Sequence, residues 1–454
     1  MGERRIQAAA AAVLASALLN VAAHAAPAAE VESARGVVMV QGAAGEAPRI
    51  GAKGVQLEPG DRVTTADGAI ALLRFVDGTR MTVRPNSELV VAQYQFTARD
   101  DPGNNMLLQL LRGGLRTVTG FISKGSPNAA RIQTNTATIG IRGTDFDARV
   151  CDRDCAAEAA REPESTHPNS VRASARVVEV EGDARVADNT GHVRRLIRGT
   201  SIYPGELLES SAGATVALAF RDGTRMTVAP VTRMRIDDFV YDDANAAEGR
   251  FLMSLLRGTL RVVGGTVATA QPQNALVNTR SGTVTLRGGG LDIRCSGECA
   301  AEPAGAGLEV FAWLGDAAVA GGTPTQTQVL QAGQGVALNG GAARTIASIA
   351  GVEGARPDAL QVPPELFARE QVGDDEPGLF VHVRDGHIEI AQGGHSLHLG
   401  RGETGYARVN GRIARPLLQP RFIEYDTVPV PVPTRTVSLS SMVVAEARST
   451  QMCR

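Results

Sequence analysis

Apolar and polar residues alternate along this chain with a period close to two, in short runs broken by Gly, Pro, Asn and Asp. That is the signature of half-buried strands rather than of helices. Residues 37–40 open the pattern, and residues 57–63 and 69–75 continue it. Asp77-Gly78 separates two apolar runs, and a glycine there supplies the positive φ of a tight hairpin turn. Residues 79–83 return, Pro85-Asn86-Ser87 ends that strand, and residues 89–96 begin another. Residues 104–111 read as a strand, Arg112-Gly113-Gly114 as a turn and residues 115–118 as the returning strand. The expectation is an all-β protein.

Three markers then recur 145 residues further on. Asp77-Gly78-Thr79-Arg80-Met81-Thr82-Val83 returns as Asp222-Gly223-Thr224-Arg225-Met226-Thr227-Val228. Leu110-Leu111-Arg112-Gly113 returns as Leu255-Leu256-Arg257-Gly258, and Arg142-Gly143 as Arg287-Gly288. A shared offset means a duplicated unit. Residues 177–182 resemble residues 37–42 at an offset of 140, which implies that the second copy gained five residues in its early loops. A smaller unit at 307–338 is repeated in shape by 379–407. Between them, 357–372 has the makings of a short helix starting after Pro363-Pro364. The Val-Pro alternation of 428–433 favours polyproline II over a central strand, and reads as an extended arm. The expected plan is a leader at 1–25, a first domain at 31–157, a linker at 158–171 and a second domain with its terminal hairpin at 172–340. A linker at 341–377, a C-terminal β-hairpin unit at 378–415 and a Pro-containing tail at 416–454 complete it.

Composition adds little attraction to any polyanion: net charge is −2 with 46 basic and 48 acidic residues in 454, so neither nucleic acid nor an anionic membrane is an expected partner. Glu3-Arg4-Arg5, an apolar run to about residue 23 and Ala23-His24-Ala25 have the form of a cleavable export signal. The mature chain is then expected to begin near residue 26 in an oxidising compartment, periplasmic or at the cell surface, with no membrane span of its own.

Cysteines fall at matching places in the two copies, Cys151 and Cys155 in the first and Cys295 and Cys299 in the second. In an oxidising compartment the reading is a disulfide within each small loop; pairing between copies, or a Cys₄ zinc site, are the alternatives. Cys453 is left over. His382, His387, His395 and His398 crowd one hairpin beside Glu389, a spacing compatible with a metal but equally with the polar face of an edge hairpin. Asp145 and Asp147 beside Arg142 could pass for a catalytic group, or for a structural ion pair. No nucleophile elbow, phosphate loop or His-Glu-x-x-His motif is present, so the expectation is no enzyme and no cofactor.

The order Gly60-Asp61, Asp77-Gly78-Thr79, Pro85-Asn86-Ser87-Glu88-Leu89, Leu110-x-x-Gly113 and Thr138-x-Gly-Ile-Arg142-Gly143-Thr144-Asp145-Phe146 resembles the FecR domain. The second copy is similar but degraded, with Arg287-Gly288-Gly289-Gly290-Leu291 at the signature. The resemblance implies two tandem FecR-like β-sandwich or β-roll domains plus a C-terminal β-hairpin module, and a sensing or docking role outside the cytoplasm. The best-known members of that family are single-pass regulators that sense a loaded outer-membrane transporter and act on a cytoplasmic sigma factor. The expected leader stands where such a regulator has a cytoplasmic domain and membrane helix, so the sensing or docking half of that role is what the resemblance is expected to carry over. The expected partner is an envelope protein, an outer-membrane receptor or membrane sensor. The alternative is a structural module that holds cell wall or glycan.

Overall fold

The computed structural model describes residues 26–429 and 431, apart from 44–45, 126–128, 153, 297–306, 322–325, 340–341 and 410. The expected leader, Cys299 and Cys453 lie outside the described residues. Among the described residues, the strands form two sheet systems of fifteen and seventeen strands, and the protein is all-β as expected. Each system closes on its own core. The first gathers Leu73, Met81, Leu108, Phe146 and Ile388, the second Leu218, Met226, Leu260, Ile293 and Val310.

The expected turn at residues 112–114 is instead a corner. Asn105–Val118 is one strand of 14 residues. Its first half pairs with Glu88–Gln95 and Ala130–Gln133, and its second half with Arg80–Val83 and Thr138–Cys151. The strand therefore passes from one layer of the roll to the other without reversing. Gly113 makes the bend at φ 73°, and a Cβ there would sit 2.6 Å from Ser87 Cα, so only glycine fits. Gly258 does the same in Arg250–Val263 at φ 92°, with Thr232 Cα 2.5 Å from the site of a Cβ. Even the strained residue preceding this contact is repeated: Asn86 and Val231 hold φ 56° and 55°, although a β-branched side chain disfavours that region.

The early part of the duplication corrects the offset of 140. Ala29–Arg35 and Ala175–Glu181 make the equivalent edge pairings, Arg35 with Ile70 and Glu181 with Thr215. Gly36 and Gly182 end them at φ 74° and 72° and pack on Ala69 and Ala214. The true counterpart of residues 177–182 is therefore 31–36, and the five-residue gain disappears. Two successive Val-rich strands look alike in sequence, and only the pairing tells them apart.

The C-terminal unit is not a free-standing module. Gly378–Gln392 pairs antiparallel along the whole of Thr138–Cys151, from Thr138 opposite Ala391 to Cys151 opposite Gly378. It occupies the place that Gly307–Leu314 and Asp316–Gly321 take against Gly290–Cys295 and Gly282–Leu286 in the second copy. The second copy is thus inserted between two parts of the first. The intervening 158–171 stretch is pinned as well: fully buried Asn169 donates to Thr404 O at 2.7 Å and Pro416 O at 2.8 Å. In place of the expected helix in 357–372 there are two single 3-10 turns, Pro357–Ala359 and Pro364–Leu366.

This nesting predicts independent stability for the insert alone. A chain cut after residue 370 should keep a cooperative melting transition from the second copy and lose that of the first. Hydrogen exchange should then show protection confined to residues 175–346; protection retained at 138–151 would contradict the pairing.

Candidate functional site

The Asp-Gly-Thr turn is a clamp. Buried Asp77 accepts from Thr79 N at 3.1 Å and from Thr79 Oγ1 at 2.9 Å. It also accepts from Ile122 N at 3.3 Å, while Gly120 N donates to Thr79 Oγ1 at 2.8 Å. Gly78 takes φ 86° at its tip. The clamp fixes the loop that carries Lys124, and Asp222 and Thr224 repeat it at 3.0 and 2.9 Å. These side chains satisfy backbone donors that would otherwise be buried unpaired.

The signature Arg142-Gly143-Thr144-Asp145-Phe146 lies on a bulge within Thr138–Cys151. Gly143 takes φ 57° without turning the chain back. Arg142 reaches Glu389 at 3.4 Å. Thr144 N donates to Thr119 Oγ1 at 2.7 Å, and Thr144 Oγ1 to His387 O at 2.9 Å. Phe146 fills the core. In the second copy the strand breaks at this point: Arg287 pairs with Asp316 at 3.2 Å and Gly288 sits at φ 81° between Gly282–Leu286 and Gly290–Cys295.

The two aspartates differ. Asp147 is buried and bridges Arg116 at 2.5 Å and Arg384 at 2.9 Å; its counterpart Asp292 meets Arg261 at 3.0 Å and Trp313 Nε1 at 3.1 Å. Burial raises the Asp145 carboxyl above the usual range, and its Oδ1 has no hydrogen-bond partner among the described residues. Two guanidinium partners on one buried carboxylate are the mark of a structural ion pair.

A cleft of about 380 Å³ opens between the copies. Arg142, Gly143, Lys124 and Asp385 line one wall, and Arg194 and Tyr203 line the other. Arg401 N donates to Tyr203 Oη at 2.7 Å across it. The sequence carries no signal for Tyr203 or Arg401 as cleft residues, because they lie 198 positions apart, just past the ends of strands in different copies that no pairing connects.

The histidines do not converge on one point. His387 Nε2 lies 3.2 Å from His398 Nδ1, both buried; His382 meets Thr404 Oγ1 at 2.9 Å; His395 is exposed. Glu389 is engaged with Arg142. Among the described residues no three His, Cys, Asp or Glu side chains group as a metal site would need. Burial holds His382 down at about 4 and His398 at about 3, and pushes His387 well below the ordinary range, so all three are neutral near pH 7.

Cys151 and Cys155 form a disulfide, with Cα atoms 5.4 Å apart. It packs with Phe380, Tyr406 and Phe422, so the loop is tied to the C-terminal unit as well as to itself. Cys295 is disulfide-bonded too. Trp313, the single Trp of the sequence, is covered by Arg356 with its guanidinium carbon 4.8 Å from the ring centroid.

Residues 61–161 match the family model described as FecR protein, which bears out the resemblance over that segment. Two solved structures of a "putative anti-sigma factor" from Parabacteroides distasonis ATCC 8503 are similar at 17% and 16% identity, with TM-scores of 0.24 and 0.25. Each match covers 31% of this chain and 59% of the other, less than two thirds of those chains, and a likeness of that size carries no argument about function. No curated protein matches the chain. Among the described residues no helix is long and apolar enough to cross a membrane.

Two measurements check this site. Asp147→Ala takes a carboxylate from buried Arg116 and half-buried Arg384 and should cost about 3 kcal/mol in denaturant melts, whereas Asp145→Asn should stay within about 1 kcal/mol. Equal costs would overturn the distinction. Protons bind the unfolded histidines near 6.5 and the folded ones only at lower pH. Their contribution is therefore complete above about pH 6.5 and is lost as pH falls toward 4 and 3. At pH 4 His382→Asn should recover on the order of 3 kcal/mol of that loss, seen as a flatter plot of stability against pH.

Proposed function

We propose that this chain is an exported, non-enzymatic FecR-type binding protein that docks to an envelope partner and takes part in signal regulation. The observation that carries this reading is the family match over residues 61–161. That segment contains the Asp77 clamp and the Arg142–Phe146 bulge, which together shape one wall of the cleft between the copies. The engaged state of Asp147, the neutral histidines and the absence of a catalytic motif in the sequence favour binding over chemistry. The cell-wall alternative calls for exposed aromatic platforms. The one indole is stacked under Arg356, so no observation favours that reading.

The docking face is proposed at the rim of the cleft, where Lys124 is exposed. A photo-crosslinking residue introduced at Lys124 in the source cells should capture a discrete envelope protein. The same residue at Val329, exposed on a strand of the second copy, should not. Recovery of wall fragments alone from either position would favour the structural reading instead.

A further inference from the structure

An extended stretch of backbone crosses the same polar patch in both copies. In the second copy Thr227 Oγ1 donates to Ala355 O at 2.9 Å and Arg261 Nη1 to Gly354 O at 2.7 Å. In the first copy Thr82 Oγ1 donates to Pro429 O at 3.2 Å, and Arg116 Nη1 donates to Val428 O. Thr82 and Arg116 sit directly opposite each other on neighbouring strands, as do Thr227 and Arg261. The donors are related by 145 positions and the captured carbonyls by 74. Two separate sequences, Glu353-Gly-Ala-Arg-Pro357 and Thr427-Val-Pro, are held in one way.

The patch offers donors and captures carbonyls. It asks nothing of the N–H groups of the captured pair, so prolines are tolerated, as in the recognition of polyproline II segments. The first copy adds a charge clamp that the second lacks. Asp426 is buried against Arg84 and Arg116, at 3.2 Å from the latter. The equivalents of Arg84 and Asp426 in the second copy are Ala229 and Val352, and Val352 packs instead with Ile346 and Ile349.

We propose that the Thr82–Arg84–Arg116 face of the first copy is a receptor for an extended peptide that carries an aspartate two residues before a Val-Pro pair. Asp426–Pro429 occupies it in cis, and a partner's segment of the same chemistry takes its place. The inference goes beyond the cleft and uses a different face, so its failure leaves the cleft reading standing. It gives the resident strap the role of a competitor. A segment tethered to its own face competes at an effective concentration in the millimolar range, so an outside peptide gains access only when the clamp is weakened or the peptide binds better.

The test uses the full chain and a fluorescent peptide of residues 425–433, Tyr-Asp-Thr-Val-Pro-Val-Pro-Val-Pro. Asp426→Asn in the protein should tighten binding of this peptide at least tenfold over the wild type. The same peptide with Asn in place of its aspartate should lose at least tenfold on that variant, and the difference should shrink with added salt. Equal binding by wild type and variant, or equal binding of the two peptides, would overturn the proposal. A second measurement does not depend on the variant folding. With the wild-type chain at millimolar peptide, the aspartate peptide should alter hydrogen exchange at residues 80–84 and 115–118, and the asparagine peptide should not. No change with either peptide would count against the face being a receptor.

Discussion

The antiparallel pairing of Thr138–Cys151 with Gly378–Gln392 is the contact on which the rest of the protein depends. It places a full ladder between residues more than two hundred positions apart. Its midpoint allows no side chain: a Cβ on Gly386 would lie 2.4 Å from Gly143 O. The signature bulge therefore meets a matching corner in the returning strand, and Thr144 ties the two by its hydroxyl. Without this ladder the signature strand would keep its partners Ala130–Gln133 and Asn105–Val118 on one side only. An open edge of that kind is a template for unwanted pairing. The insertion of the second copy, the cleft and the strap all follow from where this strand returns.

The joint between the copies is polar at its centre. Arg176 and Arg415 both bind Glu403, at 2.5 and 2.9 Å, and all three side chains are fully buried. Other donors of the two guanidinium groups reach Gly199 O, His398 O and Glu365 O, while Arg176 Nε has no hydrogen-bond partner among the described residues. Burial lowers Arg415 to about 10, still far above neutral pH, so the triad stays charged. Such a group is weak evidence of net stability, because desolvation offsets the attraction. It does demand one relative placement, since any slip leaves a buried charge unmatched. Gly199 adds a steric condition: its Cβ would fall 2.1 Å from the His398 ring. The cleft beside this joint thus has walls held in fixed register.

Duplication has kept the frame and changed its chemistry. Both copies retain the Asp-Gly-Thr clamp, the glycine corner and the buried aspartate facing an arginine. These are positions where backbone groups or a buried charge admit few substitutes. The clamp at Arg84 and Asp426 has become an apolar contact around Val352 in the second copy. The Arg-Gly-Thr-Asp-Phe bulge has become a break. A shared scaffold with divergent surfaces fits the proposal that the first copy carries a binding face and the second copy holds it in place.

What the sequence determined by itself was local. Alternation at period two marked the strands, the Asp-Gly-Thr turn needs only its own residues, and a disulfide across three intervening positions can close wherever its neighbours lie. The three markers at one offset established the duplication for the same reason, since each is a short motif with its own backbone requirement. Tertiary structure alone decided which strand follows which in the sheet. Gly113 looked like a reversal because positive φ serves a corner as well as a turn, and only packing against Ser87 separates the two. Residues 177–182 looked like 37–42 because two Val-rich strands share one alternation, and register is set by the partner strand. The likeness of 379–407 to 307–338 showed a second terminal unit, but nothing local said that Gly378–Gln392 returns to the first copy. Strand pairing is a non-local interaction, and an edge made of main-chain groups accepts any strand whose apolar face matches; which one arrives is settled by the whole fold.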